Sequence, residues 1–165
     1  MSISRNVKTE RSTGTGREVH EDIPVKFPNT DAYRSAAVIG KLTETVGVAA
    51  FTDGGAAVGT YTLAGKLPAG AIFLFAKVTN IVGFAGDTTA VLTIGDGSDA
   101  DRYNTGTINV FATAAAGVEA GVPSGAKLLT ADNNPVLTVT GGADFTSIVT
   151  EGNGSLQVDL YYIDA

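Results

Sequence analysis

The chain has 165 residues, 44% of them hydrophobic and 17% charged, with a formal net charge of −6 and no cysteine. These figures exclude a disordered chain, a disulfide framework and a Cys-based zinc site. They allow one domain with a sizeable core. The charged fraction is low against the usual share of about a quarter, which predicts apolar surface covered by other copies or another protein.

Charge is unevenly spread. Residues 1–41 carry seven Lys and Arg against five acids, and residues 42–165 carry four against twelve. A basic leading segment before an acidic body predicts docking of that segment on an acidic surface, or an ordinary solvated tail. The acidic body argues against nucleic-acid binding, which needs a basic face. No apolar run approaches a membrane span, and "MSISRNVKTERSTGTGREVHED" has no apolar core of a secretory signal.

Residues 1–40 read as an extended N-terminal arm, polar and without hydrophobic period, ordered only where it meets something. Pro24 and Pro28 in "DIPVKFPNTDAYR" disfavour helix. Short apolar beads, Val25 and Phe27 among them, suit a strap lying in a groove. From residue 41 a β domain is expected, its strand candidates separated by Gly, Pro, Asn and Asp turn clusters. In chain order they are "VGVAAF" (46–51), "AAVGTYTLAGKL" (56–67), "AIFLFAKVTNIVGF" (71–84), "TTAVLTIG" (88–95), "TINVFAT" (107–113), "AKLLTA" (126–131), "PVLTVTG" (135–141), "DFTSIVT" (144–150) and "SLQVDLYYID" (155–164). Eight or nine short strands at this spacing predict an all-β antiparallel β-sandwich, with 111–122 a disfavoured helix candidate. In the last strand Leu156, Val158, Leu160 and Tyr162 form a core face, which leaves Tyr161 and Ile163 to meet a partner by self-association. The other aromatics, Phe73, Phe75, Phe84, Tyr61, Phe111 and Phe145, read as core.

No catalytic set is apparent, so no enzyme activity and no cofactor are expected. The only histidine, His20, sits in the polar segment and reads as a solvated side chain. "LTIGDGSDADRYNTG" (92–106) brings Asp96, Asp99 and Asp101 within six residues, a candidate calcium loop. Neither EF-hand register fits: from Asp99 the sixth position is Asn104 and the twelfth Val110, and from Asp96 the fifth is Ala100. The alternative is a polar turn whose carboxylates cap backbone N–H groups. "GTG" at 14–16 lacks the strand and helix of a phosphate loop, and "NGS" at Asn153 fits a glycosylation acceptor without further support.

Residues 59–103, "GTYTLAGKLPAGAIFLFAKVTNIVGFAGDTTAVLTIGDGSDADRY", resemble a pattern in structural proteins of tailed-bacteriophage virions. The nearest class is the capsid decoration, or cement, proteins. That resemblance implies a jelly-roll-like body with an arm, located on the capsid surface after assembly in the host cytoplasm. It implies the major capsid protein as partner, while self-association through exposed β edges into a dimer or trimer would cover the apolar excess. On it, Arg5, Lys8, Arg11 and Arg17 would meet an acidic capsid surface, with Val25 and Phe27 in a groove. Phage head or tail fibre proteins carry similar stretches. A carbohydrate-binding sandwich using the 96–101 loop, calcium and Tyr103 is an alternative from another class, and a β-scaffold hydrolase using Asp99 or Asp101 a third.

Overall fold

The computed structural model describes residues 6–13, 17–24, 38–111, 118–119 and 122–164. The chain divides into two compact units, residues 1–36 and 37–165.

In the first unit, β1 (Asn6–Thr13) and β2 (Arg17–Pro24) pair antiparallel from Asn6 opposite Pro24 to Thr13 opposite Arg17. The arm reading foresaw no such pairing. Its basis is local: two eight-residue runs containing Val, Thr and Ile flank the Gly-Thr-Gly of residues 14–16.

The second unit is the expected sandwich. One sheet has the order β4-β5-β10-β7-β8 and the other β3-β11-β6-β9, and every pairing is antiparallel. The first comprises β4 (Thr52–Asp53), β5 (Val58–Thr62), β7 (Ala90–Gly95), β8 (Ile108–Asn109) and β10 (Val136–Gly141). The second comprises β3 (Val38–Gly47), β6 (Ile72–Val82), β9 (Val118–Glu119) and β11 (Ser155–Asp164). β3 begins before the expected onset of β structure, and "VGVAAF" is its end plus a 3-10 turn (Val48–Ala50). Residues 126–131 form no strand; they contribute an isolated bridge, Leu128 to Ile72, and the buried Leu129. Most of the 111–122 candidate lies outside the described residues.

Alternation supplies the core. Leu137 and Val139 of β10 register with Ile94 and Leu92 of β7, and all four are buried. Leu156, Val158 and Leu160 of β11 face them in one hydrophobic cluster with Phe73, Phe84 and Phe145. The two sheets are also tied at the rim. The Tyr61 hydroxyl donates to Glu44 Oε1 at 2.6 Å, and the Ala64 amide donates to Glu44 Oε2 at 3.0 Å. Donating to a carboxylate raises the Tyr61 pKa.

The expected strand at 144–150 is instead a helix, α1 (Phe145–Glu151), despite its β-branched Thr146, Ile148, Val149 and Thr150. Capping and burial override propensity. Asp144 accepts from the Thr146 amide at 3.0 Å, and Gly152 ends the helix in the left-handed region at φ 68°. Phe145 and Ile148, three residues apart, both enter the core. The Phe145 ring occupies the space above Gly59 that any Cβ there would fill. No helix among the described residues is long and apolar enough to cross a membrane.

Two substitutions test this account of α1. We expect Asp144→Ala to lower stability by about 1 kcal/mol through the lost cap, read as a urea midpoint shift with unchanged slope. Gly59→Ala should cost more, because Phe145 has to leave its place; a loss smaller than that of the cap variant would refute the packing.

Candidate interaction surfaces

The 96–101 loop is closed on itself. Asp96 is buried at the end of β7, and its Oδ1 accepts from the Ser98 amide, the Ser98 hydroxyl and the Asp99 amide, each at 2.8 Å. Its Oδ2 meets Arg102 Nη1 at 2.6 Å. Burial alone would raise the Asp96 pKa, but the bonds from Arg102, Ser98 and Asp99 outweigh it and hold the carboxyl far below the usual range. A Cβ on Gly95 would overlap the backbone of Asp99 and Ala100, so only glycine allows the loop to fold back this closely.

The return is equally fixed. The Tyr103 amide donates to the Ile94 carbonyl at 2.9 Å, and the Ile94 amide to Asn104 Oδ1 at 2.6 Å. Asp99 and Asp101 are exposed, and Asp99 Oδ1 accepts from the Asp101 amide at 3.4 Å. Among the described residues no group of three His, Cys, Asp or Glu side chains is placed to hold a metal ion. The three aspartates therefore do not converge; the first is a brace, as the polar-turn alternative has it.

Tyr103 is fully buried, with its ring centroid 4.7 Å from that of Phe73. It is core, and cannot serve as a sugar platform. Its hydroxyl finds no partner among the described residues, and burial pushes its pKa up to about 12.

The outer face of the β3-β11-β6 sheet is different in kind. Opposite residues share a face, so register groups this surface into rows. Lys41 and Phe75 flank Tyr161, and Ile39 and Ile72 flank Ile163. Phe75 and Tyr161 stack with centroids 4.5 Å apart and planes 20° apart, and Lys41 Nζ lies 5.6 Å from the Tyr161 centroid. In the next row Asp159 is buried, 3.1 Å from Lys41 Nζ and accepting from Gln157 Nε2 at 3.1 Å. Burial works to raise the Asp159 pKa, but its bonds from Gln157, Lys41 and Thr43 lower it overall.

On the other side of the Tyr161 row the surface is apolar. Ile39 is 64% exposed, Ile72 39% and Leu128, bridged to Ile72, 53%. Tyr161 and Ile163, picked out from the alternation of the last strand, thus lie in a larger patch. Sequence reasoning missed Ile39, Ile72 and Leu128, and it assigned Phe75 to the core. The cause is a register shift opposite Tyr161 and Tyr162, where β6 has one residue more between Phe73 and Phe75 than simple pairing allows. The shift carries Phe73 inward and Phe75 outward. No sequence signal marks it, whereas Ile39 was open to detection from the alternation of "VIGKLTETVG".

Of the residues read as a capsid-binding arm, Arg5, Val25 and Phe27 lie outside the described residues. Lys8 and Arg11 fall in β1 and Arg17 in β2, with Lys8 opposite Asp22, Arg11 opposite Val19 and Arg17 opposite Thr13.

Removal of the brace has a calculable consequence. Asp96→Ala leaves Arg102 partly buried without its anion, and we expect a loss of about 3 kcal/mol at pH 7, measured by urea unfolding. The Asp96 pKa is lower folded than unfolded, so its contribution is complete above an unfolded value of about 4 and is lost as pH falls below it. The gap between wild type and Asp96→Ala should therefore narrow on acidification; a constant gap would refute the linkage. In contrast Tyr103→Phe removes only an unpartnered hydroxyl, and thermal unfolding should show stability unchanged or raised by up to about 1 kcal/mol.

No family model and no curated protein matches the chain. Among solved structures it is similar to a chain from a structure titled "Cyanophage Pam1 capsid asymmetric unit", at 16% identity and a TM-score of 0.45, with 94% of this chain and 98% of that one covered.

Proposed function

We propose that this protein is a non-enzymatic virion structural protein, a cement that attaches to the capsid protein and associates with copies of itself. The observation that carries this is the outward apolar row Ile39–Ile163–Ile72 beside a ten-residue edge strand. Contiguous apolar residues on a sheet face favour a protein partner, and a long edge strand offers unpaired N–H and C=O groups to another strand. The likeness of residues 59–103 to tailed-phage structural proteins supports the virion setting.

Magnitudes say how the contact has to work. Strand spacing gives the two rows roughly 200 Å² per copy. Covering them on two copies contributes on the order of 10 kcal/mol, similar to the cost of association itself. The two rows alone do not hold a dimer, so pairing at the edge of β3 has to add hydrogen bonds. Repetition across a shell then supplies avidity that one contact lacks.

Light scattering at micromolar concentration tests self-association. We expect Ile39→Asp with Ile163→Asp to give a folded monomer where the wild type is a dimer or trimer; a monomeric wild type would overturn this part. Capsid attachment is tested by adding the protein to mature shells that lack it. Co-sedimentation and a raised heat resistance of the shells are expected, and absence of binding would overturn the cement role.

A further inference from the structure

The register of the N-terminal hairpin makes it two-faced, and we infer that the face carrying Val7, Arg11, Arg17, Val19 and Ile23 is the one that docks, on an acidic surface of the capsid protein. This rests on the cement reading and deepens it by naming the contact.

In an antiparallel pair, opposite residues share a face and neighbours along a strand alternate. One face therefore holds Val7 opposite Ile23, Thr9 opposite Glu21, Arg11 opposite Val19 and Thr13 opposite Arg17. The other holds Asn6 opposite Pro24, Lys8 opposite Asp22, Glu10 opposite His20 and Ser12 opposite Glu18. Every Val and Ile of the two strands falls on the first face. That face also has two arginines against one acid, whereas the second has one lysine against three acids. Apolar residues and excess positive charge are thus sorted to one side and excess negative charge to the other.

A two-stranded ribbon without a further layer is marginal in water. The ribbon is stabilised when its apolar side is covered, and the arginines on that side select carboxylates, which they bind as a planar fork. Size points the same way. Eight residue pairs make a ribbon about 27 Å long and about 10 Å wide, so one face offers on the order of 300 Å². A stable pairwise interface needs about 800 Å² per partner. One hairpin is too small to hold alone, and a partner that repeats the same acidic site over a closed shell makes up the difference through avidity.

The test uses the full-length chain and shells lacking it, with Arg11→Glu and Arg17→Glu on the proposed face and Lys8→Glu on the other. All three make the same change in charge, so long-range attraction alone would weaken them equally. We expect Arg11→Glu and Arg17→Glu each to weaken co-sedimentation about tenfold, as loss of a charge-assisted contact does, and Lys8→Glu to stay within about twofold. Val19→Ser adds a variant without charge change, expected to weaken binding at unchanged melting temperature of the body. Equal effects of Lys8→Glu and Arg11→Glu, or none from either, would refute the two-faced hairpin while wild-type binding left the cement role standing. A wild type that does not bind shells would remove both. Self-association in shell-free solution that is abolished by Arg11→Glu and kept by Lys8→Glu would overturn the capsid surface as occupant in favour of a second copy.

Discussion

The pairing of β11 on both its edges is the constraint on which the sandwich unit depends. Because β3 and β6 flank it, its two-residue period is imposed on a surface three strands wide. A slip of one residue would turn Leu156, Val158 and Leu160 to water and bring Gln157 and Tyr161 inside. The same register that buries one side thus composes the outward rows, so stability and recognition are set by one choice. Asp159 lies near the middle of the outer side, held by Lys41 and Gln157, and divides the polar part of that face from the apolar part.

The acidic character of the body does not by itself make a site. Asp96 is spent on the loop it begins, and Asp132 is held by Lys66 at 2.6 Å and by the Ala69 amide at 2.9 Å. Asp87 accepts from the amides of Thr88 and Ala143, and Asp144 caps α1. In each case a carboxylate satisfies donors that a turn or helix end would leave unpaired. A protein of short strands and many connections needs such groups in number, which explains acid density without invoking catalysis or metal. Apolar groups left outside have no comparable local use. They therefore carry more functional information here than the charges do.

How much was legible follows the same division. Antiparallel β structure, the core side of β11 and the turns at the ends of β7 and β10 were all readable, because they depend on period and on local turn chemistry. The helix at 145–151 was misread because β-branched residues outweighed a cap, although Asp144 and Gly152 bracket it visibly in the sequence. Phe75 was misplaced because a register shift in β6 alters which residues face inward, and that shift is decided by the partner strand. The pairing of β1 with β2 was open to inspection in principle, but the polar composition of the segment concealed it.

By itself, then, the sequence determined the fold class, the alternating core of the long strands and Tyr161 and Ile163 as outward residues, since each depends on spacing along one strand. Only the tertiary structure decided that Ile39, Ile72 and Leu128 join Ile163, that Asp96 serves Arg102 and its own loop, and that Arg11 of β1 shares a face with Val19 of β2. The physical reason is that a surface row runs across strands, and its members are brought together by hydrogen-bond register between segments distant in the chain.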